Sequence, residues 1–134
     1  PFRRRWEWAL EGPLALDALV ECARAVLGTH RFLAFAVRGT APADDDHRCT
    51  VVDAWWRERP GGLLFEIEAN RFLHHMVRFL VGTMIEIARG RRPLSDFAAL
   101  LEAEDNRRTS APAPPHALFL DVVRYPRDLY LGDT

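Results

Sequence analysis

Between residues 50 and 88 the hydrophobic period changes once, from strand-like alternation to helical spacing, and this switch restricts the possible folds most. "TVVDAWWRE" and "LLFEIEAN" both read as strands. In the second, Leu63, Phe65, Ile67 and Ala69 alternate with Glu66 and Glu68. "RPGG" joins them, a turn signal suited to an antiparallel hairpin. The hairpin runs into a helical stretch from about Arg71 to Ala88, roughly 27 Å long at 1.5 Å per residue. Phe72, Leu73, Met76, Val77, Leu80, Met84 and Ile87 cover most of its circumference, so the helix has to be largely buried.

The flanking segments agree with a layered fold. "FRRRWEWAL" predicts a half-buried strand, with Phe2, Trp6, Trp8 and Leu10 on one face and Arg3, Arg5 and Glu7 on the other. "LALDALVECARAVLG" predicts an amphipathic helix closed by Gly28 as its C′ residue. Residues 31–38 are short and apolar, a strand or buried loop. "RGTAPADDDHR" follows as a polar loop, with the run Asp44 to Asp46 expected to be solvated. Gly90 ends the long helix, and Ser95 is placed to cap a shorter one through Leu101, packed by Phe97, Leu100 and Leu101. "NRRTSAPAPPH", with prolines at 112, 114 and 115, excludes regular structure, and "ALFLDVVRYP" predicts a last strand stopped by Pro126. The order β-α-β-β-α-α-β predicts an α+β fold, an antiparallel sheet with helices packed on one face, in a single domain over residues 1–134.

Charge composition alone selects no partner. The formal net charge is −1, so an interaction with a polyanion has to be argued from where charges sit. All 18 basic side chains are arginine, which we read as coding bias. No apolar run approaches the ~18 residues of a membrane span, and no signal peptide is expected. A chain that begins at Pro1 is expected to be a processed product or a piece of something longer. Cys22 and Cys49 follow no metal spacing and are expected to be reduced, buried thiols of an intracellular protein.

One feature of the apolar helix calls for chemistry. His74, Arg78, Gly82 and Glu86 form a narrow polar stripe, flanked by His75 and Arg89. A fixed arginine beside a glycine that clears room suits a carboxylate or phosphate. The alternative is that Arg78 reaches a surface glutamate or a carbonyl. From Arg71 to Arg92 there are five arginines (71, 78, 89, 91 and 92) against Glu86 alone. With His74, His75, Arg107 and Arg108 they form a basic patch able to track RNA phosphates, although Arg89 to Arg92 equally suit a solvated helix end. No metal is expected: adjacent histidines on a helix diverge by ~100°, and no third ligand is spaced to help.

At this point the residues resemble a known family. "ANRFLHHMVRFLVG" is similar to the A-N-x-F-L-x-x-M-V-R-x-(I/L/M)-V-G signature of TruA-type tRNA pseudouridine synthases. "LDALVECARAVLGTHRFLAF" and the tail "RPLSDFAALLEAEDNRRTSAPAPPHALFLDVVRYP" resemble further family segments in the right order, across almost the whole chain. Three positions depart from the pattern: Ala34 for serine, Phe79 for asparagine and Ala117 for glycine.

The resemblance implies isomerisation of uridine to pseudouridine in the anticodon arm of tRNA, in the cytoplasm, by a homodimer without metal or organic cofactor. It implies an essential aspartate in a G-R-T-D-A-G-V-H motif of the N-terminal half. That motif does not occur here, so the chain resembles the C-terminal half and is expected to be inactive alone. Its partners would be tRNA and the N-terminal half of the same enzyme, with no membrane. By the same mapping, Arg78 is the family arginine that pairs with the catalytic aspartate, and Leu118 lines the uracil pocket. The rival expectations are a non-catalytic RNA-binding module and a dimerisation scaffold.

Overall fold

The computed structural model describes residues 1–9, 12–37, 39 and 44–114, together with the backbone of Leu118–Val122. The expected hairpin forms: β3 (Cys49–Arg59) and β4 (Gly62–Ala69) pair antiparallel, with Arg59 opposite Gly62. Gly61 turns the chain with φ +79°, a conformation that costs glycine little. β1 (Phe2–Ala9) lies against the other edge of β4, in register from Phe2 opposite Ala69 to Ala9 opposite Gly62. β5 (Leu118–Val122) pairs outside β1 and sets the Leu118 backbone opposite Trp6. A short strand not anticipated from the sequence, β2 (Gly28–His30), pairs with β3, giving a five-stranded antiparallel sheet of order β2-β3-β4-β1-β5. Residues 33–35, within the segment expected to be a strand or buried loop, form a 3₁₀ turn.

The helices α1 (Leu16–Ala25), α2 (Met76–Ala88) and α3 (Ser95–Leu101) share a core with the inward residues of the sheet. Trp6, Phe65 and Ile67 of the sheet and Met76, Leu80 and Met84 of α2 are all buried in it, and the Trp56 indole donates to the Met84 sulfur at 3.2 Å. At about 25 cal/mol per Å² of apolar surface removed from water, burial of this shared core is the main stabilising contribution. The opposite sheet face is polar: Arg3 bridges Glu66 at 3.1 Å and Glu68 at 2.6 Å. Among the described residues no helix is long and apolar enough to cross a membrane. Cys22 and Cys49 are buried and unpaired, and burial pushes their thiols up to about 12 and about 11.

Four local expectations need correction. α1 ends at Ala25 with Val26 as its C-cap, so Gly28 opens β2 instead of closing the helix. Ser95 is the first helical residue, not the cap: Leu94 holds the N-cap position without a side-chain cap bond, and the carbonyls of Pro93 and Leu94 accept the Asp96 and Phe97 amides. The acid run is not merely solvated, because Asp45 accepts both terminal nitrogens of Arg71 at 2.8 and 2.6 Å. That pairing holds the Asp45 carboxyl well below the usual carboxylate range.

The fourth correction bears on the site. α2 begins at Met76, five residues after Arg71, because His75 adopts a left-handed backbone (φ +61°, ψ 12°) through which a right-handed helix does not propagate. The apolar spacing of Phe72 and Leu73 fits a helix, but tertiary contacts take the segment elsewhere. Arg71 is tied to Asp45, and the His74 carbonyl accepts the Val37 amide at 3.4 Å. His74 therefore stands outside the helix, and Arg78 lies in its first turn.

A candidate anion-binding cleft at the head of α2

The turn that starts α2 and the middle of β1 enclose an open cleft of about 460 Å³, lined by Arg4, Phe72, His74, His75 and Arg78 among others. Arg78 is half-buried, and its guanidinium is oriented by the chain itself. Its Nε donates to the Ala113 carbonyl at 2.8 Å while its own carbonyl accepts the Ala113 amide at 2.9 Å. This double link fixes the side chain along one edge and leaves the terminal nitrogens toward the cleft. One of them lies 3.3 Å from His75 Nδ1. Among the described residues no carboxylate lies within ion-pair distance of Arg78, so the alternative of a glutamate partner fails and that of a carbonyl partner holds for one nitrogen.

Residues 106–113 reach α2 as a strap pinned along its length. Asn106 donates to the Ala36 carbonyl at 3.0 Å and Thr109 to the Ala34 carbonyl at 2.6 Å. Arg92 gathers Asp96, the Ser110 hydroxyl at 2.8 Å and the Arg108 carbonyl at 2.8 Å. The strap then crosses the helix over Gly82. A Cβ on Gly82 would meet the Ala111 carbonyl oxygen well inside contact distance and the Ala113 nitrogen at 3.1 Å. The absent side chain therefore admits the strap backbone, not a ligand, which corrects the sequence reading of Gly82.

His75 bears strain and charge repulsion together. Its ring stacks on His74 with centroids 3.9 Å apart. A guanidinium only donates, so the imidazole has to accept from Arg78 and is neutral in that contact. Burial first, then repulsion from His74 and Arg78, holds the His75 imidazole below its ordinary value of 6.5. As pH falls, the unfolded chain takes up this proton before the folded one does. Stability is therefore undiminished above 6.5 and declines below it. Denaturation midpoints should drop less on acidification for His75→Asn, whose side chain tolerates the left-handed backbone. Equal declines in the two proteins would assign the effect to other groups.

The remaining arginines of the expected basic patch are largely neutralised internally. Arg71 pairs with Asp45, and Glu86 receives Arg89 at 3.8 Å and Arg91 at 3.1 Å. Arg107 reaches Asp105 at 3.1 Å, while Arg108 is exposed. The structure thus brings His74, His75 and Arg78 together and leaves Arg89, Arg91, Arg92, Arg107 and Arg108 away from the cleft lining. Leu118 is known by its backbone position only, and Ala117 and Pro126 lie outside the described residues. Two residues escaped the sequence reading: Arg4, which lines the cleft, and Ala113, which holds Arg78 by its carbonyl. Arg4 left a signal: strand alternation puts it on the face of Phe2, Trp6 and Trp8, where a charge is unexpected.

Comparison with known proteins identifies a family that the chain resembles. The family described as tRNA pseudouridine synthase matches residues 22–126. A protein from Exiguobacterium sp. strain AT1b, named tRNA pseudouridine synthase A, is 35% identical over 125 residues, covering 93% of this chain and 50% of that protein. One of the same name from Roseiflexus sp. strain RS-1 is 42% identical over 118 residues, covering 85% and 41% respectively. A third, from Parabacteroides distasonis, is 33% identical over 130 residues, covering 97% and 51%. The chain spans about half the length of the curated relatives it matches.

Proposed function

The chain belongs to the tRNA pseudouridine synthase family, and on that premise we propose that it supplies the arginine side of the active-site cleft of a uridine-to-pseudouridine isomerase. The substrate is the anticodon arm of tRNA. The catalytic aspartate comes from an N-terminal half of the same enzyme, so this chain alone is inactive. The assembled enzyme is a cytoplasmic homodimer that uses no metal or organic cofactor.

One observation carries this reading: Arg78 is half-buried, oriented by Ala113, directed at an open cleft and without a carboxylate among the described residues. A desolvated guanidinium without a counter-charge is costly, which favours a carboxylate arriving from outside. In the reaction the C1′–N1 bond breaks and C1′ joins C5 of the same uracil, N1 gains a proton and C5 loses one, so no co-reactant is consumed. The aspartate has to be ionised and correctly aimed, and an oriented arginine lowers its pKa and fixes its rotamer. Leu118 provides an apolar wall for the uracil, whose extrusion from its stack costs a few kcal/mol.

The direct test is release of tritium from 5-tritiated uridine in an anticodon-arm RNA. Release is expected when this chain is joined to its N-terminal half and not from this chain alone. No release from the joined protein, with its fold intact, would remove the proposal. Binding of the chain alone to the same RNA is expected to be weak and to fall steeply with salt, since phosphate contacts release counterions. A salt-independent affinity would point to another kind of partner.

A further inference from the structure

The half-buried arginines separate into two groups. Arg3, Arg5, Arg71, Arg89 and Arg92 each have a carboxylate within 4.0 Å. Arg4 and Arg78 do not have one among the described residues, and both line the cleft at the head of α2. We propose that Arg4 is a second anion-holding residue of this cleft, gripping a phosphodiester of the bound RNA beside the nucleotide that Arg78 serves. The inference rests on the functional reading above and adds a substrate-binding residue to it.

Three observations support the role. Arg4 stands on the helix-facing side of β1, where its neighbours two residues away are Phe2 and buried Trp6. A charge at such a position is costly unless something occupies its donors. Its Nε is buried and has no hydrogen-bond partner, whereas buried donors are almost always satisfied. Its guanidinium is nevertheless held in place at the cleft lining, 4.9 Å over the Phe72 ring. That contact engages the face of the group and not its terminal nitrogens, which suit a planar or tetrahedral oxyanion. β1 is also rigidly placed: Arg4 is registered against Ile67 on one side and Leu120 on the other. Burial lowers the Arg4 pKa from 12.5, as expected for a cation awaiting its counter-ion, yet arginine stays charged at neutral pH. RNA offers phosphates and no carboxylates, so the phosphodiester is the complementary group.

The test uses the assembled synthase with Arg4→Gln and Arg4→Lys, following RNA dissociation constants against salt concentration together with kcat. Arg4→Gln keeps the packing on Phe72 and removes the charge. It should weaken RNA binding by roughly tenfold and reduce the slope of log Kd against log salt by about one, with kcat little changed. Arg4→Lys should restore the slope and part of the affinity. An unchanged Kd and slope for Arg4→Gln would overturn the inference. So would weaker binding with an unchanged slope, which would mean that Arg4 meets a carboxylate of the other half and only supports the assembly. The slope is read from binding, so it holds whether or not the enzyme turns over. An active parent whose Arg78→Lys variant loses turnover while Arg4→Gln keeps the parent's RNA affinity and salt slope refutes this inference alone; an inactive parent refutes the functional reading.

Discussion

Arg78→Lys in the assembled enzyme is expected to lower kcat by about 10²-fold or more while RNA affinity changes far less. The reason lies in how the guanidinium is divided. Nε holds the Ala113 carbonyl at 2.8 Å, one terminal nitrogen reaches His75 at 3.3 Å, and the remaining terminal N–H groups are left for an anion in the cleft. An ammonium is a single point of charge. If it keeps the Ala113 carbonyl it withdraws from the cleft, and if it enters the cleft it leaves that carbonyl unpaired. Either way the incoming carboxylate loses a two-pronged, fixed partner. Turnover should be measured with saturating RNA, with circular dichroism confirming the fold. Near-parental kcat would show that Arg78 does not orient the catalytic carboxylate.

Gly82→Ala is expected to destabilise the domain by about 1–3 kcal/mol and to reduce turnover as well. A single methyl at this position runs into the Ala111 carbonyl, which is backbone and cannot rotate aside. Relief requires the strap to lift from α2, and lifting it pulls Ala113 away from Arg78 at both of their hydrogen bonds. Urea denaturation gives the stability change and a uridine isomerisation assay the kinetic one. A Gly82→Ala protein as stable and as active as its parent would show that the strap does not set the arginine.

Most of the fold could be read from local pattern. The hairpin around "RPGG", the strand at Phe2–Ala9, the buried faces of α1 and α2 and the helix through Leu101 all follow from hydrophobic period and turn residues. Misreadings fall at element ends, where local preference is weak. Met76 as the start of α2 was not legible because Phe72 and Leu73 are spaced for a helix. What stops it is a left-handed His75 between two tethers, Arg71 on Asp45 and His74 on Val37. β2 was not legible because three residues carry no period of their own and become a strand only by pairing with β3.

The amino-acid order by itself determined the antiparallel sheet, the helix buried on it and the family, because periodicity and signature residues are properties of neighbours along the chain. Which charges are available was decided by the folded structure alone. Arg71 looks as cationic in sequence as Arg78 and is paired once Asp45, distant along the chain, comes within reach, while Arg89 and Arg92 meet Glu86 and Asp96 about one helical turn away. Arg4 was passed over among three consecutive arginines. Folding seals its Nε against apolar surroundings, while no acid among the described residues arrives to meet it. Whether a charge is paired depends on what lies a few ångströms away in space, and separation along the chain does not encode that distance.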